Sequence, residues 1–255
     1  MPKNNFFYTV IIISVVLFNT RINSQTFGFG CLGFFGGYGG VAYQSYNAEG
    51  LNQFVNYFNE MNSGTLNDPL QDYKGAFGYR VGVNFFRATW ESGFILTAKG
   101  YYQSLSRTRK TSETSANVNT NYAFELDLKN WALGVDFGYA ITSFLSWKIV
   151  DGSINFNNVS LTNTINSPEG TDVSRYKSEP GVLGYSVGTG LIFFIIPDYI
   201  SLEGFAGYTG LTVEKLKYEE GNRYLLRALE EEDNINFIEA GGFTGVIQLN
   251  VGFPL

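Results

Sequence analysis

The sequence predicts an all-β chain, an eight-stranded antiparallel up-and-down transmembrane β-barrel with short turns at one end and long loops at the other. Three observations predict it. Apolar residues recur with period two in eight segments, the connections between segments alternate between short and long, and aromatic side chains collect near both segment ends.

The chain opens with Lys3 and an apolar run from Phe6 to Phe18, followed by the polar stretch Asn19 to Ser24. That run is too short to cross a bilayer as a helix, and the pattern is that of a secretory signal peptide. Residues 1–24 are therefore read as a leader and 25–255 as one barrel domain.

The eight segments fall at about 33–43, 76–86, 93–103, 122–141, 144–156, 182–196, 199–213 and 235–253. Most reach the length a tilted strand needs to span a bilayer. In the second, Phe77, Tyr79, Val81, Val83 and Phe85 alternate with Gly78, Arg80, Gly82 and Asn84. The fourth sets Trp131, Leu133, Val135 and Phe137 against Ala132, Gly134, Asp136 and Gly138, and the last sets Ile247, Leu249 and Val251 against Gln248, Asn250 and Gly252. In the fourth segment the apolar parity slips near Asn130, where Leu126 and Leu128 give way to Trp131 and Leu133. A bulge there, or a strand continuing above the membrane, would produce such a slip.

The gaps after the second, fourth and sixth segments are short, at 87–92, 142–143 and 197–198. Those after the first, third, fifth and seventh are long, at 44–75, 104–121, 157–181 and 214–234. Trp90, Phe94, Phe144, Trp147, Tyr199 and Phe253 lie near the short-turn ends, while Tyr43, Tyr46, Tyr101, Tyr102, Tyr122, Tyr185 and Tyr208 lie nearer the long loops. Two aromatic belts are what the two lipid interfaces favour.

This arrangement resembles the small outer-membrane barrel families, namely the OmpA transmembrane domain, OmpX and OmpW, over nearly the whole chain after residue 24. A short leader followed by Gln25, with Asn-rich and Tyr-rich composition, is similar to such proteins from the Bacteroidota. The resemblance implies an exported protein of the cell outer membrane, in contact with outer-membrane lipid or lipopolysaccharide. It leaves the role open, because those families include structural anchors, adhesion proteins and small hydrophobic-compound channels. On the residues alone, the fold rival is a soluble secreted lipocalin-like binding barrel, which would turn its apolar parity inward. Glycine, alanine and serine on the other parity suit a narrow interior and favour the membrane fold.

Composition excludes several functions. The sequence holds no histidine, the proton carrier of the barrel enzymes that would otherwise be considered, so no catalytic residue is assigned. Without residues 1–24 there are 15 basic against 23 acidic side chains, which argues against a nucleic-acid partner. Cys31, the single cysteine, forms no internal disulfide, and its setting lacks the leucine of a lipoprotein signal. Gly28, Gly30 and Gly33 match the spacing of a dinucleotide fingerprint but not its strand and helix context, so no cofactor is expected. The acidic run from Glu230 to Asp233 lacks the spacing of a calcium loop and reads as a solvated tip rather than a metal site.

Two constellations remain. Arg80, Lys99, Asp136, Lys148, Glu203 and Glu239 fall on the inward parity as a barrel-interior charge network. A static plug and a gated ion path are both open, with the narrow bore favouring the plug. In the first long loop, Leu51, Phe54, Val55, Phe58 and Met61 recur at three- and four-residue intervals and predict an amphipathic helix. Its apolar face would pack on its own barrel, lie in the outer leaflet or dock a partner. Arg107, Arg109 and Lys110 are further candidates for contact with lipid phosphates.

The function expected is that of a non-enzymatic integral outer-membrane protein with a structural, adhesion or accessory role, acting through its loops, with an envelope protein complex as a candidate partner. The alternative is a small channel for hydrophobic compounds lined by Ile192, Phe194 and Phe205.

Overall fold

The computed structural model describes residues 36–115, 118–197, 199–219 and 236–252. Residues 1–24, expected as a leader, Cys31 with its flanking glycines, the acidic run 230–233 and Phe253 lie outside the described residues.

In chain order the elements are β1 (Gly36–Ser45), α1 (Glu49–Met61), β2 (Gly75–Thr89), β3 (Phe94–Ser115), β4 (Val118–Ala140), β5 (Leu145–Ser167), β6 (Gly170–Lys177), β7 (Val182–Ile196), β8 (Ile200–Leu211), β9 (Lys217–Tyr218) and β10 (Gly242–Gly252). Eight of the strands form a ring in the order β4-β3-β2-β1-β10-β8-β7-β5, closed by pairing of β4 with β5. Every pairing in it is antiparallel. Closure removes the unpaired backbone edges that a bilayer would penalise.

The apolar parity faces outward. Val81 is 46 % exposed, Val135 52 % and Leu249 46 %, and Trp131 reaches 63 %. A lipocalin-like barrel would bury these side chains, so the soluble alternative is set aside and the fold is that of a transmembrane barrel. At the short-turn end Phe94 stacks on Phe137, with centroids 5.2 Å apart, and meets Tyr139 edge-on at 5.3 Å. At the other end Tyr102 lies 5.0 Å from Trp131 and 6.3 Å from Tyr79.

Three connections differ from expectation. Residues 104–121 were expected as a loop, yet β3 and β4 run on as a hairpin whose register reaches Ser115 opposite Val118. Likewise β5 continues to Ser167, turns at Gly170 and returns as β6, which pairs back along it. The last barrel strand begins at Gly242 rather than near 235, because the residues before it make bridges instead, Ala240 to Asn47 and Ile238 to Val213.

The parity slip in β4 now has a cause. Leu126, Leu128, Asn130, Ala132 and Asp136 all face inward on one unbroken alternation, and the irregularity in β4 lies further on, between Phe137 and Gly138. The surroundings change instead of the backbone. Gln103, Asn130 and Asn157 form one cross-strand row, and Leu105, Leu128 and Val159 form the row two residues above it. Below this step the lumen is polar and the outside apolar; above it the inside is apolar, where the strands cover α1, and the outward positions of β4 carry Lys129, Asp127 and Glu125.

Candidate functional site

The interior is built in three tiers. The middle tier is a charge cluster on β3, β4, β5 and β8, whose inward positions carry Lys99, Asp136, Lys148, Asp151 and Glu203, all buried. Lys99 Nζ donates to Asp151 and lies 3.5 Å from Asp136. Lys148 Nζ lies 2.5 Å from Asp151, 2.6 Å from Glu203 and 3.3 Å from Asp136. Asn250 Nδ2 donates to the other Glu203 oxygen at 3.2 Å.

Asp151 was not foreseen. It sits three residues after Lys148, which under strict alternation puts the two on opposite faces. The register shift between Lys148 and Asp151 inserts Ile149 as an extra residue, so both side chains turn inward.

Arg80 stands apart from this cluster. Its Nε and Nη2 donate to Gln103 Oε1 at 3.0 and 2.8 Å, and its guanidinium lies 4.1 Å from the centre of the Tyr101 ring. Glu239 does not join the interior at all. It lies exposed on the segment before β10, where its carboxylate accepts from Asn236 Nδ2 at 2.8 Å. The buried charged side chains among the described residues are three cations, Arg80, Lys99 and Lys148, and three anions, Asp136, Asp151 and Glu203. Such balance, with close pairing, is what burial of charge requires.

A hydrogen-bonded belt crosses the lumen beside these charges. Tyr101 Oη and Ser153 Oγ are 2.8 Å apart, Asn155 Nδ2 donates to Ser186 Oγ at 2.8 Å, and Ser186 meets Thr209 at 2.9 Å. The Tyr38 ring fills the space beside them by lying against Gly82, where a Cβ would come within 2.4 Å of the ring. Phe205 covers Gly188 and Gly207 in the same way, so it does not join Ile192 and Phe194 in one apolar pocket.

The upper tier is an apolar cap. Leu51 and Val55 of α1 are fully buried with Leu105, Leu126, Leu161, Phe237 and Ile238. Phe54 and Phe58 pack edge-on against Phe124 at 5.6 and 5.3 Å. Met61 alone of the five expected helix positions is left outside, at 67 % exposure. The helix start, which lacks a side-chain cap, is held by the chain leading into β10: Gly50 N donates to Asn236 O and Leu51 N to Phe237 O. Tyr73 Oη donates to Phe124 O at 2.8 Å, and burial raises its phenol well above the ordinary tyrosine range. Arg109 also faces the cap, donating to Gln71 and to the Asp72 carbonyl, and the Arg107 Nε is buried on the same parity. Of the three basic residues Arg107, Arg109 and Lys110, candidates for contact with lipid phosphates, Lys110 alone is exposed.

Below the charge cluster the lumen opens. A cavity of about 650 Å³ runs from Lys99, Asp136, Lys148 and Glu203 to the short turns at Trp90, Ser143 and Pro197. Ile192 and Phe194 line its wall. Among the described residues, no group of three or more His, Cys, Asp or Glu is placed to hold a metal ion.

No family model and no curated protein matches the sequence. Among solved structures, the attachment invasion locus protein Ail of Yersinia pestis aligns at 13 % identity over 86 % of this chain and 97 % of its own, with a TM-score of 0.37. Neisserial surface protein A aligns at 9 % identity over 91 % and 100 %, with a TM-score of 0.38. The outer membrane protease OmpT of Escherichia coli aligns at 12 % over 86 % and 94 %, with a TM-score of 0.40. The barrel itself is established by the pairing of this chain's own strands.

Proposed function

We propose that this chain is a non-enzymatic integral protein of the outer membrane, delivered there by its leader, whose role is structural, adhesive or accessory to an envelope complex. The observation that carries this reading is the division of labour along the barrel axis. The lumen is crossed at one level by paired charges and closed above them by the α1 cap, while β3, β4, β5 and β6 extend beyond the lipid band as a continuous sheet. A conducting pore needs a continuous bore; a surface protein needs a rigid platform outside the membrane.

The lack of histidine in the sequence supports the non-enzymatic part. In the charge cluster Lys148 bridges all three carboxylates, so they serve one another structurally. The apolar face of α1 is covered by its own chain, so contact with a partner would fall to the outward face of the extended sheet and to Met61.

Planar-bilayer recording tests the closed lumen: the purified barrel should show no steady conductance, and a steady large conductance would overturn the reading. An epitope inserted at the β5–β6 turn, between Pro168 and Glu169, should be reached by antibody on intact cells. Accessibility only after permeabilisation would reverse the orientation.

A further inference from the structure

The outer wall of the barrel carries an apolar groove that its own side chains leave unfilled. Residues along β5, β7, β8, β10 and β1 border about 730 Å³ there, a volume within the ordinary range of small-molecule sites, roughly 300–1,000 Å³.

The floor is made of small residues in register. Gly204 on β8 lies opposite Leu191 on one neighbouring strand and Ile247 on the other, and Ala206 lies opposite Thr189 and Gly245. Leu191, Ile247 and Phe243 are exposed and stand around this floor, with the Phe243 ring 3.4 Å from where a Cβ on Gly245 would be.

Elsewhere the wall closes over such gaps. At Gly100, another outward glycine, the side chains of Leu133 and Phe85 lie 3.6 and 3.8 Å from the place of a Cβ, whereas at Gly204 no atom comes within 4 Å. A gap beside an apolar surface forfeits dispersion contacts unless something fills it.

The ends of the groove give its direction. Trp147, the third residue of β5, stands near the short turns. Tyr43, two residues before the end of β1, stands near the first long connection, its ring 4.5 Å from that of Phe77. The groove therefore slants along the membrane-spanning wall. Trp147 Nε1 donates to Thr189 Oγ1 at 2.9 Å, which holds the indole against the wall, and Thr189 Oγ1 donates to Lys148 O at 2.7 Å. Both polar groups are thus satisfied within the protein, and among the described residues no charged side chain lines the groove.

We propose that this groove holds one acyl chain of a membrane phospholipid as a retained lipid. The medium facing the wall is hydrocarbon, and a long unbranched chain matches an elongated apolar groove. A phospholipid can lay one of its two chains there and leave the other in the bilayer, whereas the bundled chains of lipid A would have to separate. The inference rests on the membrane-spanning fold and not on the role proposed above.

The test is native mass spectrometry of the full chain, folded into vesicles of palmitoyl-oleoyl phosphatidylethanolamine containing lipid A and then released into mild detergent. One phosphatidylethanolamine should stay on each barrel through detergent washing. Gly204→Leu fills the floor where no atom stands within 4 Å and should lower that retention about tenfold, the loss expected when roughly two methylene groups lose their contact. Ala206→Leu should act in the same direction, and Val135→Leu, on the far side of the ring, should retain the lipid as the parent does. Heat-dependent gel migration shows that each variant is folded. The proposal is overturned if no phospholipid is retained, if folded Gly204→Leu and Ala206→Leu keep it as the parent does, or if lipid A or a second copy of the chain is found in its place.

Discussion

Asp136 and Asp151 sit directly opposite each other across the β4–β5 pairing, and the same two ammonium groups, Lys99 and Lys148, lie between them. Like charges facing each other on neighbouring strands repel. Here that pair is stable only because two cations share it, which makes the lysines the keystones of the membrane-embedded interior.

Replacing Lys148 with methionine should therefore destabilise the barrel by about 3–5 kcal/mol, the usual result of stranding a buried charge. Lys148 contacts Asp136, Asp151 and Glu203, so three carboxylates lose a partner at once. Pairing the change with Glu203→Gln should recover part of the loss. Urea unfolding in lipid vesicles measures both, and an unchanged midpoint in Lys148→Met would show that the cluster contributes nothing.

The inversion of parity along β4 predicts opposite consequences for two leucines seven residues apart. Leu133 faces lipid and Leu126 faces the cap. Leu133→Arg should cost roughly 2–4 kcal/mol of barrel stability if it lies near the bilayer midplane, less nearer the interface. Leu126→Ala should cost about 2–5 kcal/mol by leaving a cavity, felt mainly by α1 and the extended hairpin. Heat-dependent gel migration reports the barrel and limited proteolysis reports the cap, so the two variants should separate on these readouts.

Opening the cap should be possible without dismantling the barrel. Val55→Asp places an unpaired carboxylate among Leu51, Leu126 and Phe237. Cleavage between residues 45 and 75 by external protease should accelerate at least tenfold, while the eight-stranded ring persists. Equal cleavage of the variant and the parent would mean that α1 is not held as the structure shows.

The outer hairpin should respond to acid. Glu219 accepts from Lys177 Nζ at 2.5 Å and lies 3.8 Å from Arg175, and the hydrogen bond from Lys177, followed by the nearby charges, holds its carboxyl below the ordinary glutamate value. A lowered folded value means the contact is complete above the ordinary glutamate range and is lost as pH falls through the folded value. Amide exchange at Lys177 and Tyr218 should therefore quicken in acid beyond its intrinsic pH trend. Glu219→Gln should remove the extra response, and its persistence in that variant would assign it to another group.

How much of this was readable in advance differs from residue to residue. The positions of Val81, Val135 and Leu249 could be read because a strand's alternation is local and lipid is a uniform solvent, so an apolar parity of bilayer length has one outcome. The same logic located Lys99, Asp136, Lys148 and Glu203 inside. It failed at Asp151, where one extra residue at Ile149 reverses the count, and at Glu239, which lies on a bridge segment instead of a strand. Residues 104–121 read as a loop because their inward apolar positions are few and their outward ones polar, the opposite of a lipid-facing strand.

By itself the sequence determined the eight-stranded barrel, through the count of alternating segments and the rhythm of the connections between them, and the apolar strand faces and the amphipathic helix in the first long connection, through periodicity within single segments. Only the tertiary structure decided what the helix covers, which charges meet, and at what level the interior turns from polar to apolar. Those outcomes depend on rows of residues from different strands, such as Gln103, Asn130 and Asn157, coming to one level, and on what lies beyond them: a bilayer on one side of the step, a helix on the other.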